Sequence, residues 1–208
     1  MPMRLQHISH WTPLALCSML LAALLVACGA TTGSPTSTTT AAPTAPPSPT
    51  PTPVPMTTLA GNGYTISYPQ SWQLSRSGSR LVTLTANSGT IKLSITTIPD
   101  PNGAISADSM VNTAIKAVKV PLKNEQTESV PPTATVAGVS WSQQSVSGTQ
   151  RLNAADTLIQ AVVLATVHPG NTLTSKGYTI MYSAPKSMFS EVNTTGFQPI
   201  LQSFKFLT

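Results

Sequence analysis

Residues 158–167 read LIQAVVLATV, and apolar side chains fall on both faces of this stretch when it is written as a β-strand. A strand that is apolar on both faces is typical of the middle of a sheet, where both faces are covered. Residues 81–85 and 91–95 alternate apolar and polar positions around Asn-Ser-Gly at 87–89, a pattern that predicts a β-hairpin. The sequence therefore predicts a sheet with residues 158–167 near its centre.

Further strands and two helices are predicted around this centre. The segments that alternate like half-buried strands are residues 64–68, 135–147 and 178–182. A helix is predicted from Ser106 as N-cap to Lys119, because an apolar stripe runs along this segment and Pro121 follows it. A final helix is predicted over residues 197–204, where a proline in the first turn is acceptable. The C-terminal region is thus expected to be rich in strands.

Short motifs in this region resemble PsbP-like domains. They are GYTISYP at 63–69 followed by Trp72, VAGV at 136–139, and FQPILQSFKF at 197–206. The resemblance covers residues 59–208 and implies an α+β fold, namely an α/β/α sandwich with a central, mainly antiparallel sheet. The extrinsic subunit of photosystem II and Ran-binding import factors share this fold. The resemblance supplies no catalytic motif, and nothing in the chain indicates photosynthesis.

An apolar run near the N-terminus ends in the lipobox Leu25-Val26-Ala27-Cys28, followed by Gly29. The run covers 13 residues, 14–26, whereas a helix needs about 20 apolar residues to span a bilayer. This length and the preceding Arg4 are typical of a secretory signal, and the lipobox resembles that of bacterial lipoproteins. We therefore expect residues 1–27 to be a signal peptide and lipid on Cys28 to anchor the protein at the extracytoplasmic face of the cell membrane. The alternative is ordinary cleavage after Ala27, which leaves Cys28 free or in a disulfide.

The segment 28–58 is predicted to be a disordered linker that begins with the lipidated cysteine. From residue 30 onward it consists almost entirely of Thr, Pro, Ser and Ala, so it offers no apolar face for a core. At about 3.1 Å per residue in an extended polyproline conformation, it would reach at most roughly 90 Å. It is either a stalk that lifts the domain at 59–208 from the membrane or a passive tether of no fixed length.

Composition limits the chemistry of the domain. Cys17 should leave with the signal and Cys28 precedes the linker, so residues 59–208 contain no cysteine for a disulfide or a thiolate site. Charged residues make up 8% of the chain, against roughly 25% in typical proteins. Lys and Arg outnumber Asp and Glu by five, but they are not clustered as nucleic-acid binding requires. We expect no nucleic-acid partner.

The candidate catalytic and metal-binding residues are few. His168 with Asp156 is the only pairing that would fit a Ser-His-Asp arrangement, and no Gly-x-Ser-x-Gly turn accompanies it. Asp100 begins an Asp-Pro-Asn-Gly segment that turn chemistry explains better than calcium binding. Glu125 and Glu128 lie in a polar segment, and we interpret them as solvated. The sequence therefore predicts no enzyme, no cofactor and no metal site.

Two sets of residues are candidates for a ligand or partner surface. The aromatic set is Trp72, Trp141 and Tyr178, which would line a groove, although aromatic residues at strand spacing more often form a core. The basic set is Lys116, Lys119 and Lys123, at spacings of three and four along one helix edge. This edge would be a patch for anionic lipid or a wall polymer, or only the solvated side of the helix.

The functional hypothesis is a non-enzymatic, lipid-anchored domain that docks a protein partner or assists assembly at the cell envelope. The alternative is a ligand-binding lipoprotein with an aromatic-lined pocket, and a hydrolase is a distant third. A closed core beside a flat exposed sheet face or helix edge would favour docking, whereas a pocket lined by exposed rings would favour ligand binding. The residues indicate no particular oligomeric state.

Overall fold

The computed structural model describes residues 54–207. The predicted signal peptide, the lipobox with Cys28, most of the predicted linker and Thr208 lie outside the described residues. The strands are β1 (Met56–Ala60), β2 (Tyr64–Pro69), β3 (Gln73–Ser77), β4 (Leu81–Ala86), β5 (Ile91–Pro99), β6 (Lys123–Glu128), β7 (Thr133–Val136), β8 (Val139–Leu152), β9 (Ala155–His168), β10 (Lys176–Pro185) and β11 (Lys205–Phe206). The helices are α1 (Ala107–Lys119), α2 (Phe189–Val192) and α3 (Gln198–Gln202), and a π-helical turn (Asn193–Phe197) joins the last two.

The main sheet has eight antiparallel strands in the order β3-β4-β5-β10-β9-β8-β6, and β7 pairs with the remaining part of β8. Strand β9 pairs with β8 on one side and with β10 on the other. Val163 and Leu164, which point to opposite faces, are both fully buried. The central position predicted for residues 158–167 is confirmed. A small antiparallel sheet, β1-β2-β11, lies outside the main sheet.

Helices pack on both faces of the main sheet, and on one of them α1 covers only β8, β9 and β10. On one face, α2, the π-helical turn, α3 and the small sheet enclose the larger apolar core, which contains Trp141, Phe197 and Phe204. On the other face, α1 packs Val111 and Ile115 against β8 and β9. The structure is therefore an α+β fold with helices on both faces of an antiparallel sheet, as predicted.

Helix α1 begins and ends where the sequence predicts. Ser106 is its N-cap, and its hydroxyl oxygen accepts a hydrogen bond from the backbone N–H of Ser109 at 3.2 Å. Asp108 lies in the first turn and Lys116 and Lys119 lie in the last, which suits the helix dipole at both ends. None of the helices among residues 54–207 is long and apolar enough to cross a membrane.

The strand predicted over residues 135–147 is wrong as a single element. The chain turns back at Ala137 and Gly138, so β7 pairs antiparallel with the start of β8. Both turn residues have positive φ, 52° and 74°, a conformation that glycine adopts readily and alanine adopts rarely. The apolar positions shift phase across the turn, from Ala134 and Val136 before it to Val139 and Trp141 after it.

Two predicted boundaries also differ from the structure. Strand β1 begins at Met56, so residues 56–58, which the composition placed in the linker, pair with β2. The C-terminal helical segment begins at Phe189 rather than at Phe197, because Phe189 and Val192 add a buried face to the turn that precedes the π-helical segment. Its helical part ends at Gln202, two residues before the predicted end.

Candidate functional site

The aromatic residues form a closed core instead of a binding groove. Trp141 and Tyr178 are 0% and 2% exposed, so they are wrong as candidates for a ligand surface, and the alternative that aromatic residues at strand spacing form a core is confirmed for both. The Trp141 ring packs edge-on against Phe204, with ring centroids 5.5 Å apart. Burial also raises the pKa of the Tyr178 hydroxyl. Trp72 is half-buried, and its ring packs edge-on against Phe197 at 5.9 Å.

The three predicted lysines do not share a helix edge. Lys116 is exposed on α1, and Lys119, in the same turn, forms an ion pair with Glu125 at 3.5 Å. Lys123 belongs to β6, opposite Thr149 of β8, because Pro121 ends the helix before it. The helical spacing was therefore correct for two of the three residues and wrong for Lys123.

His168 and Asp156 lie at opposite ends of β9. At about 3.3 Å per residue, twelve residues of strand separate them by roughly 40 Å, which excludes a triad that uses both. The His168 ring stacks on Phe206 with centroids 3.9 Å apart. Asp100 is buried, and its carboxylate accepts hydrogen bonds from the backbone N–H groups of Ala104 and Ile105, as turn chemistry predicts. Within residues 54–207, no group of three or more His, Cys, Asp or Glu side chains is placed to hold a metal ion.

Glu128 is not the solvated residue that the sequence indicates. Its carboxylate accepts hydrogen bonds from the Lys186 ammonium and the Ser147 hydroxyl, and Ser147 is almost completely buried. The hydrogen bond from Lys186, followed by that from Ser147, holds the pKa of the Glu128 carboxyl below its ordinary value of 4.5. These contacts join the edge strand β6 to β8 and to the chain that follows β10. These hydrogen bonds stabilise the sheet edge, and Ser147 is too buried to contact a substrate.

Replacing Glu128 with glutamine is expected to lower the free energy of unfolding at pH 7 by about 1 kcal/mol, because both ionic partners keep some contact with solvent. The folded-state pKa is lowered, so the ionised carboxylate stabilises the fold above pH 4.5 and this contribution is lost as the pH falls through the folded value. The difference between wild type and Glu128→Gln should therefore be smaller at pH 3 than at pH 7. Urea unfolding at both pH values measures it.

The matched control is Glu125→Gln, which removes a more exposed carboxylate from its ion pair with Lys119. Its effect at pH 7 should be smaller than that of Glu128→Gln. An equal or larger effect of Glu125→Gln would contradict the role of Glu128 in the stability of the sheet edge. A difference in the free energy of unfolding between wild type and Glu128→Gln that is unchanged at pH 3 would also contradict it.

One face of the main sheet is uncovered over β3, β4 and β5. The apolar cluster beneath α1 draws its strand residues from β8, β9 and β10, so the same face of the first three strands has no helix of the described chain above it. Cross-strand register places Ser75, Thr83 and Ser94 in one row there, and of these Ser94 is buried beside β10. The neighbouring rows add Thr85 and Thr96, and both are half-buried, as is typical of an open sheet face. We call these five residues the hydroxyl face.

A groove lies where α1 meets this open face, and we call it the α1 groove. It has a volume of about 320 Å³. Ile159, Ala161 and Met181 form its floor, and Ala117, Val118 and Pro121 form its wall. At its rim, Lys92 extends from β5 and has no ion-pair partner within residues 54–207. The groove is thus mainly aliphatic, with the ammonium group of Lys92 at its edge.

Sequence reasoning missed the hydroxyl face and Lys92. The signal is present, because LVTLTA at 81–86 and IKLSIT at 91–96 alternate so that every second residue is polar or solvent-facing. Alternation predicts a polar face, but it does not tell whether a helix covers that face. The position of α1 over β8, β9 and β10 decides this, and it depends on tertiary packing.

Comparison with known proteins assigns no family. No family model matches the chain, and no curated protein matches it. Similar solved structures include a protein of Bacteroides thetaiotaomicron VPI-5482, with TM-score 0.45 and 10% identity over 70% of this chain and 46% of that one. Another is LpqN of Mycobacterium tuberculosis, involved in cell envelope biogenesis, with TM-score 0.42 and 15% identity over 74% of this chain and 91% of that one. A third is PA94 of Pseudomonas aeruginosa, with TM-score 0.39 and 13% identity over 71% of this chain and 94% of that one.

This chain spans only about half the length of the Bacteroides protein. At TM-scores below 0.5, these likenesses define neither a family nor a function for the chain. The resemblance to PsbP-like domains therefore stays a prediction.

Proposed function

We propose that the protein is a non-enzymatic docking protein, anchored by lipid on Cys28 at the extracytoplasmic face of the membrane, that binds an envelope protein partner through its hydroxyl face. The observation that carries this proposal is the uncovered face of β3, β4 and β5 beside a closed aromatic core. Trp141 and Tyr178 lie almost entirely within this core, which weakens the alternative of a binding site lined by their rings.

The chemistry of the hydroxyl face suits a protein partner. Serine and threonine hydroxyls both donate and accept hydrogen bonds, so a flat array of them can pair with the polar groups of another polypeptide. Thr83 and Thr96 present such groups without any carboxylate beside them in their cross-strand rows. Strand β3 borders the face at the edge of the sheet, and all five of its residues are exposed. An open edge strand offers further backbone hydrogen bonds to a partner.

Site-specific cross-linking tests the proposal, because the region beyond Cys28 contains no other cysteine. A Thr83→Cys variant, labelled on intact cells with a thiol-reactive photo-cross-linker, is expected to yield one discrete adduct with a partner protein. The matched control is Thr194→Cys, an exposed threonine on the helical layer of the opposite face. It should yield no such adduct. Equal adducts from both positions, or none from Thr83→Cys, would refute docking through the hydroxyl face.

A further inference from the structure

We propose that the α1 groove binds one long alkyl chain that ends in a carboxylate, with Lys92 as the partner of the carboxylate. This site takes a small amphiphile and goes beyond the proposed docking function, which uses the hydroxyl face. The two sites share no residue, although Lys92 lies opposite Thr85 of the hydroxyl face. The groove is lined by residues of α1, the β4–β5 turn, β5, β8, β9 and β10.

The shape of the groove follows from two residues on one side of α1, two turns apart. Near the start of the helix, Met110 is buried and fills the space above Gly177 of β10, where a Cβ atom would lie 2.7 Å from the methionine sulfur. Seven residues later the same side of the helix carries Ala117, and its methyl group leaves the sheet beneath it open. The groove therefore follows from the packing of α1 on the sheet, and Gly89 and Thr90 of the β4–β5 turn complete its lining.

The lining favours an aliphatic ligand. Ile159, Ala161 and Met181 offer only aliphatic or thioether surface, and among the described residues that line the groove none is aromatic. A volume of about 320 Å³ lies at the lower end of the roughly 300–1,000 Å³ typical of ligand pockets. This volume suits one alkyl chain better than a lipid with two alkyl chains.

The charges around the groove favour an anionic end group. Lys92 lies opposite Ser183 of β10, which lies opposite Ala161 of β9, so the Cα atoms of Lys92 and Ala161 are two strand spacings, roughly 10 Å, apart. No acidic side chain is among the described residues that line the groove. The negative end of the α1 dipole also lies here, and Lys116 in its last turn offsets it.

The carboxylates closest in sequence to this region already have cationic partners. Glu125 pairs with Lys119, and Asp156 pairs with Arg151 at 3.7 Å. The ammonium of Lys92 is therefore left to balance one negative charge on a ligand. One ammonium matches a monoanion, and a carboxylate at the end of an alkyl chain is the simplest ligand that satisfies both the charge and the aliphatic lining.

Calorimetric titration tests the site with dodecanoate below its critical micelle concentration. The protein is the full chain with Cys28→Ser, purified without detergent so that no other amphiphile is present. Dodecanoate is expected to bind, and dodecyltrimethylammonium, with the same chain and the opposite charge, is expected to bind at least about tenfold more weakly. Absence of dodecanoate binding, or equal binding of the two amphiphiles, would overturn the proposal.

Two variants locate the binding. Lys92→Gln should weaken dodecanoate binding about fivefold, whereas Lys205→Gln, which removes an exposed lysine on β11, should leave it unchanged.

Ala117→Leu should fill the groove and abolish binding without lowering the unfolding temperature, because Ala117 is at the surface. Unchanged binding by Ala117→Leu would place the amphiphile elsewhere and overturn the proposal. Cross-linking at Thr83→Cys should be unaffected by Ala117→Leu, so failure of one proposal is distinguishable from failure of the other.

Discussion

Replacing Trp141 with alanine is expected to lower the free energy of unfolding by about 3–5 kcal/mol. The side chain is fully buried in the larger apolar core, so its removal leaves a cavity that the surrounding sheet closes only in part. Its indole N–H also donates a hydrogen bond to the carbonyl oxygen of Val136 at 3.1 Å. That carbonyl belongs to the end of β7, next to the tight turn, so one residue ties the β7–β8 hairpin to the core.

Chemical denaturation followed by circular dichroism measures the effect, and two variants make it interpretable. Trp72→Ala removes a half-buried ring and should lower the free energy of unfolding by clearly less than Trp141→Ala does. Trp141→Phe keeps most of the ring but leaves the Val136 carbonyl without its donor, so it should cost about 1–2 kcal/mol. If Trp141→Ala does not fold, Trp141→Phe still reports on the site. A loss for Trp72→Ala as large as that for Trp141→Ala would contradict the description of the core.

The size of this effect matters because residues 54–207 contain no cysteine. A folded domain is stable by roughly 5–15 kcal/mol, so a loss of 3–5 kcal/mol takes a large share of the total. Here burial, and not a disulfide, supports the fold, and the aromatic core is therefore needed for structure and not available for ligand binding.

Local patterns predicted the elements of the fold well where one physical signal dominated. Residues 158–167 are central because both of their faces are apolar, and α1 begins at Ala107 because the hydroxyl of Ser106 caps it. The turn at Ala137 was missed because alanine seldom takes positive φ, so the residue type argued against the conformation that the hairpin imposes.

The predicted site depended on contacts between distant parts of the chain, and there the sequence was less informative. Glu128 looked solvated because its segment is polar, yet its partner Lys186 lies 58 residues away in sequence. Lys123 fitted a helical spacing that Pro121 had already interrupted. The hydroxyl face could be predicted as polar from alternation, but only the placement of α1 left it uncovered. These features follow from tertiary packing, which one sequence does not specify residue by residue.

Replacing Cys28 with serine is expected to move the protein from the membrane fraction to the released fraction. The proposed anchor is lipid on this cysteine, and each buried methylene group of a lipid chain contributes about 0.8 kcal/mol to membrane binding. None of the helices within residues 54–207 is able to span a bilayer, so the described part of the chain offers no helical replacement for that anchor. Fractionation of cells followed by immunoblotting measures the shift.

The chain supplies its own control for this experiment. Cys17 lies inside the apolar run, eleven residues before Cys28, and the large Leu16 precedes it where cleavage needs a small residue. Cys17→Ser should therefore leave the protein in the membrane fraction, whereas Cys28→Ser should not. Retention of Cys28→Ser in the membrane, together with an unmodified Cys28 in the mass spectrum of the wild type, would refute lipid anchoring. Since the hydroxyl face and the α1 groove lie beyond Cys28, that result would leave both binding proposals standing and change only where they operate.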